Sequence, residues 1–162
     1  MEEEEKHKIF SYIEKIVSGG QTGVDRAALD VALELGIPCG GWCPKGRRAE
    51  DGVIPASYPL EEASSPDYPV RTELNVQDSD GTLILTWGRL GGGTLLTLKL
   101  ARRLHKPYFV VDLVQGGDVK SIQEWGRAKK VRILNVAGPR EGEAPGIHAR
   151  ASSFLREVLR VP

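Results

Sequence analysis

The segment Lys15-Ile16-Val17-Ser18-Gly19-Gly20-Gln21-Thr22-Gly23-Val24-Asp25-Arg26 decides the reading of this chain. A short apolar run of strand character stops at a glycine pair. Apolar residues at helical spacing then begin, with Val24, Ala28, Val31, Ala32 and Leu35 on one face. A strand, a glycine-rich turn and a helix in that order form the opening unit of an α/β fold. The first turn of such a helix offers unpaired N–H groups and partial positive charge, and glycine lets the backbone come close to a ligand. Gly19, Gly20, Gln21, Thr22 and Gly23 therefore read as a cradle for a phosphate-bearing small molecule. Thr22, with Asp25 three residues on, has the spacing of a capping box. Gly36, with Pro38 just beyond it, marks where the helix stops.

Moving outward, Cys39 to Trp42 reads as a short second strand, followed by a long loop rich in Gly and Pro that carries Lys45, Arg47 and Arg48. Pro69 opens a short helix with Val70 and Leu74 on one face. Thr82 to Thr86 is a continuous apolar run of the kind found in buried parallel strands. It leads to Gly91-Gly92-Gly93-Thr94 and then to a helix marked by Leu96, Leu100 and Leu104. That helix ends among Arg102, Arg103, His105 and Lys106, cations that complement the negative end of its dipole. Tyr108–Leu113 and Val131–Ala137 read as strands on either side of a short helix over Val119–Trp125. Ile147, Ala151, Phe154, Leu155 and Val158 define the last amphipathic helix. The alternation predicts an α/β fold, Rossmann-like and three-layered, with a mostly parallel central sheet flanked by helices. Residues 13–162 form one such domain, and the acidic residues 1–12 form a solvated, flexible tail.

Three apolar strands end in glycine-rich segments: at Gly19, at Gly91 and at Gly138-Pro139-Arg140. In open parallel sheets ligands sit outside the carboxyl ends of the strands, so all three belong to one edge. The expected site takes Gly19, Gly20, Gln21, Thr22, Gly23 and Arg26 from the first loop. It takes Gly91, Gly92, Gly93 and Thr94 from the second, and Gly138 and Arg140 from the third. Arg26 and Arg140 are placed to give charge-assisted hydrogen bonds to phosphate. Asp25, Lys45, Arg47, Arg48, Asn75 and Glu141 are accessory positions. The Lys45, Arg47 and Arg48 cluster reads either as a clamp over the ligand or as a solvated loop. Asp78 and Asp80 either end a helix or reach the ligand. Trp42 and Trp87 lie near strand ends, where core packing is the simpler role and stacking on a flat ring the other. Neither the Walker pattern Gly-Lys-Ser/Thr nor a good G-x-G-x-x-G is present, which argues against a kinase or an ordinary NAD dehydrogenase.

Composition narrows the partners. Lys and Arg total 22 and so do Asp and Glu among 162 residues, so no global basic field recruits nucleic acid or an anionic membrane. Cys39 and Cys43 are the only cysteines, and His7, His105 and His148 are dispersed. Two buried thiols are the simpler reading, and no metal ligated directly by the protein is expected. The acidic start is unlike a signal peptide, and no apolar stretch reaches membrane-spanning length. The expectation is therefore a reduced, cytoplasmic protein.

Taken together, Ser18 to Arg26, Gly41 to Gly52, Arg71 to Val76 with Asp78 and Asp80, Gly91 to Thr94 and Asn135 to Glu141 resemble the molybdenum cofactor carrier proteins. These form a circularly permuted, YpsA-type branch of the Rossmann-like SLOG superfamily. The resemblance covers nearly the whole chain. It implies a Rossmann-like fold, a molybdenum cofactor (molybdopterin) or nucleotide as ligand, and a homo-oligomer. Phosphoribohydrolases of the wider superfamily carry a motif similar to Pro-Gly-Gly-x-Gly-Thr-x-x-Glu with a catalytic glutamate. Here Gly93-Thr94-Leu95-Leu96 is followed by Thr97. Cleavage of a glycosidic bond needs a carboxylate nearby, and Asp25, Glu50, Asp51, Glu141 and Glu143 are the substitutes the chain offers. The leading expectation is a carrier that binds without catalysis. A nucleotide hydrolase and a nucleotide sensor are the alternatives.

Overall fold

The computed structural model describes residues 13–160, so the segment read as an acidic tail lies outside the described residues. Five parallel strands form the central sheet: β1 (Lys15–Val17), β2 (Cys39–Gly40), β7 (Gly81–Thr86), β8 (Tyr108–Asp112) and β9 (Ile133–Ala137), in the order β2-β1-β9-β7-β8. The helices are α1 (Val24–Leu35), α2 (Tyr68–Gln77), α3 (Gly92–Arg103), α4 (Val119–Ala128) and α5 (Ile147–Leu159). Helix α5 packs against α1 and α4 over one face of the sheet, and α2 packs with α3 over the other. The result is the three-layer Rossmann-like fold.

Side chains of a strand alternate between faces, and the central strands follow that rule. Leu83 and Leu85 of β7 join Leu134 and Val136 of β9 in the main core under α1 and α5. The intervening Thr82, Ile84, Thr86 and Asn135 are buried towards the α2–α3 side, where the Asn135 amide donates to Thr82 Oγ1 at 3.3 Å. Burial on both faces explains why β7 reads as an unbroken apolar run.

Chain order fixes the site. From β1 the chain moves outward to β2, and from β7 it moves the other way to β8. The last strand, β9, is laid between β1 and β7. The loops following β1, β9 and β7 are therefore neighbours at the point where the strand order reverses.

Helix α1 ends as its sequence predicts. Gly36 takes φ 72°, and its N–H and that of Ile37 close onto Leu33 and Ala32 carbonyls. Its start differs from expectation. The N-cap is Gly23 and no side chain caps the helix. Thr22 instead donates its hydroxyl to Glu50 and accepts the Glu141 N–H, while Asp25 turns back to accept the Gln21 N–H. The strand expected over Cys39 to Trp42 breaks at Gly41, whose φ is 125° and whose missing β-carbon would lie 2.4 Å from the Ser18 carbonyl oxygen. Beyond the break, β3 (Trp42–Cys43) leaves the main sheet and pairs with β6 (Glu61–Glu62). The long loop contains a small hairpin, β4 (Arg48–Ala49) with β5 (Gly52–Val53). No helix among the described residues is long and apolar enough to cross a membrane.

Candidate functional site

A cleft of about 350 Å³ opens where β1, β9 and β7 end. That volume is within the range of small-molecule sites. The loop after β1 contributes Gln21 and Asp25, and the start of α2 contributes Tyr68, Arg71 and Thr72. The start of α3 contributes Gly92, Gly93, Thr94 and Thr97, and the loop after β9 contributes Gly138, Arg140 and Glu143.

Asp25 and Arg71 meet in this cleft. Arg71 Nη1 lies 3.4 Å from Asp25 Oδ2, with the two side chains 14% and 5% exposed. Burial pushes the Asp25 carboxyl up to about 6, against the opposing pull of Arg71, the Gln21 N–H and Arg26. Two buried polar atoms beside this pair, Gln21 Oε1 and Arg71 Nε, have no hydrogen-bond partner. Gln21 is anchored from its other end, where Nε2 donates to the Arg48 carbonyl at 2.9 Å. Buried acceptors and donors left without partners are costly, so an unpartnered acceptor and an unpartnered donor on two residues that line one cleft point to a ligand that completes them.

The wall formed by α3 is suited to an anion. The helix begins without a side-chain cap, and β-carbons added at Gly91 and Gly93 would meet nothing within 4 Å. No side chain accepts its first N–H groups. Thr97 returns its hydroxyl to the Gly93 carbonyl at 2.9 Å. Opposite, Arg140 Nε donates to Glu143 Oε1 at 2.9 Å, and Glu143 Oε2 would stand 3.7 Å from a β-carbon on Gly92. A carboxylate of the chain thus sits between a guanidinium and the positive end of α3.

The first glycine loop is arranged differently from an open cradle. A β-carbon on Gly19 would strike Arg71, one on Gly20 would strike Leu60, and one on Gly23 would strike the Pro139 carbonyl. These glycines admit the protein's own groups. Of the loop, Gln21 faces the cleft, whereas Thr22, Gly23 and Arg26 line a separate hollow of about 540 Å³ with Asp30, Glu50, Asp51, Tyr58, Glu141 and His148. That hollow is the larger, but its groups are engaged with one another. Arg26 grips Asp51 through both terminal nitrogens and donates from Nε to the Gly20 carbonyl. Asp30 accepts the Tyr58 hydroxyl at 2.7 Å and lies 2.8 Å from His148 Nε2. Glu50 accepts the Gly142 N–H, and Glu141 caps α5 by accepting the Gly146 and His148 N–H groups. The Thr22 hydroxyl, and after it the Gly142 N–H, hold the Glu50 carboxyl below the usual range, as the Gly146 and His148 N–H groups do that of Glu141.

The other accessory positions either bond within the protein or lie exposed outside both spaces. Arg47 donates to four carbonyls, those of Ile54, Pro55, Tyr58 and Leu60, and so ties its loop together. Lys45 and Arg48 are exposed and line neither space. Asn75 holds the backbone of Trp42 by both its amide atoms. Asp78 accepts the Trp42 indole N–H, and Asp80 accepts the N–H groups of Arg132 and Ile133. Both cysteines are free, Cys43 buried and Cys39 half-buried. Trp87 is not packed in the core: it is 49% exposed and lines a space beside the cleft.

Arg71, Tyr68 and Thr72 escape a reading of the glycine loops, because α2 reaches the cleft from a distant part of the chain. The signal present was Pro69, which opens α2 and thereby fixes where its first turn points. Among the described residues no group of three or more His, Cys, Asp and Glu side chains is placed to hold a metal ion.

The model of the circularly permutated YpsA SLOG family matches residues 16–159. A search of curated proteins found no match. Among solved structures, the chain is similar to a 1.45 Å crystal structure from Syntrophus aciditrophicus SB named "putative molybdenum carrier protein". The two share 46% identity over 93% of this chain and 97% of the other, with a TM-score of 0.89.

Proposed function

The chain belongs to the circularly permutated YpsA SLOG family, and from that premise we propose that it binds a phosphate-bearing ligand, a pterin cofactor or a nucleotide, in the cleft between β1, β9 and β7. The observation that carries this reading is the two unpartnered buried atoms, Gln21 Oε1 and Arg71 Nε, on residues that line one cleft with the uncapped start of α3. The amide oxygen accepts from a ring N–H. The guanidinium and the α3 N–H groups receive the phosphate.

The solved relative's name brings in molybdenum. The donors of the cleft suit the organic part of a molybdenum cofactor: one acceptor for a heterocycle, and cations with backbone N–H groups for its phosphate. The metal would arrive already held by its pterin and would bring its own redox chemistry. The residues of this chain bind and orient the ligand, which is the work of a carrier. Native mass spectrometry of freshly purified protein tests this directly. We expect a retained small molecule containing phosphorus. Protein of bare mass that also takes up neither AMP nor a phosphorylated pterin would overturn the reading.

One observation favours a second reading, that of a nucleotide hydrolase. Asp25 is a buried carboxyl in the cleft with its pKa lifted to about 6, the setting expected of an acid–base group. Release of free base from nucleoside monophosphates, lost in Asp25→Asn, would establish it. In either case we propose a homo-oligomer, which light scattering on the purified protein tests.

A further inference from the structure

Beside the cleft lies a second, smaller space of about 190 Å³, lined by Trp87, Arg89 and Gly91. The two spaces share Gly92, Thr94 and Glu143, so the start of α3 is a ridge with a compartment on each side. Trp87 leaves half its surface open where it lines this space. Its backbone is nevertheless held. The Gly88 N–H donates to Asp112 Oδ1 at 2.8 Å, and Thr86 Oγ1 donates to the Gly88 carbonyl at 3.0 Å. A flat ring on a fastened turn, with a cation two residues on, is a stacking platform.

We propose that the ligand carries two planar rings joined through a diphosphate, a dinucleotide in chemical class. One ring enters the main cleft against Gln21, the diphosphate crosses the start of α3, and the second ring stacks on Trp87. This rests on the reading of the cleft as a phosphate-ligand site. The α3 ridge is its anion locus: Gly91 and Gly93 are unobstructed, and the chain's own Glu143 carboxylate already lies beside Gly92. An anion at that position lies within reach of both compartments. Gln21, 2% exposed with Oε1 unpartnered, lines the main cleft and supplies its fixed acceptor.

The probes are AMP and diadenosine 5′,5′-pyrophosphate, titrated calorimetrically into the full-length protein. The dinucleotide binds more tightly than AMP. Trp87→Ala weakens the dinucleotide about tenfold, the usual consequence of losing one stacked base, and leaves AMP within about twofold on the same scale. Trp87→Phe restores most of the difference because it keeps a flat ring. Equal affinities for the two probes, or a difference that survives Trp87→Ala, would overturn the second subsite while leaving the main cleft intact. Failure of both probes to bind would overturn the two-ring ligand together with the nucleotide reading beneath it.

Discussion

Arg71 lies across the face of Gly19, so close that a β-carbon there would stand 1.8 Å from Nη1. The glycine that first marks the loop as a ligand cradle is thus the seat of a guanidinium from α2. From that seat Arg71 reaches Asp25, and its Nε is buried without a hydrogen-bond partner. Gly19→Ala should push Arg71 out of place and weaken binding of a phosphate ligand by roughly tenfold or more, in line with the loss of a charged hydrogen bond worth about 1.5–3 kcal/mol. Calorimetry with AMP checks this. Unchanged affinity would show that the guanidinium does not serve the ligand.

Asp25 makes stability depend on pH with a definite sign. Its folded pKa is raised from 3.8 to about 6, so the native state holds the proton more tightly than the unfolded chain. Ionisation therefore removes stability as pH rises from about 4 through 6. Above that the cost is fully present, about 3 kcal/mol from the size of the shift. Asp25→Asn escapes it. The variant should melt well above the parent at pH 8, with the gap closing as pH falls towards 4. A gap that is constant with pH, or larger in acid, would contradict the burial of this carboxyl.

Glu143 sits where a ligand phosphate is expected, hydrogen-bonded to Arg140. A phosphate entering there competes with it for the guanidinium. Glu143→Gln should raise affinity for AMP several-fold, and Arg140→Ala should lower it. If Glu143→Gln weakens binding instead, the carboxylate contacts the ligand rather than reserving its place.

Arg47 is bonded to four backbone carbonyls and touches neither the cleft nor its neighbour. Arg47→Ala removes four hydrogen bonds that tie the loop together, three of them part-buried. It should destabilise the protein by about 2–4 kcal/mol and speed proteolysis within residues 47–60. Ligand affinity measured below the new melting temperature should change little. Selective loss of binding with normal stability would mark the residue as a ligand contact.

Much of the fold is legible in the sequence, because it depends on local patterns. The apolar run of β7, the periodicity of α1 and the Gly36 stop report their own geometry. The edge of the sheet bearing the site is legible for the same reason, since three strands end in glycine. What each glycine admits is a long-range matter. Gly19 and Gly93 look alike in sequence, yet one is covered by Arg71 and the other faces open space. Arg26 and Asp25 are adjacent, but a helix turns successive side chains to different sides. One therefore closes a salt bridge over the outer hollow while the other enters the cleft. The expected capping box fails for a similar reason: Glu50, 28 residues away, takes the Thr22 hydroxyl.

The central claim is that ligand binds in the cleft at the start of α3 and not in the larger hollow beyond the first loop. Calorimetric titration of AMP into the parent protein, Gly93→Val and Asp30→Asn separates the two. Gly93 lines the cleft with room for a β-carbon, while Asp30 joins Tyr58 and His148 in the hollow. The cleft predicts that Gly93→Val abolishes binding and Asp30→Asn leaves it within about twofold, less than the loss of one ordinary hydrogen bond. Normal binding by Gly93→Val, with loss in Asp30→Asn, would contradict the account.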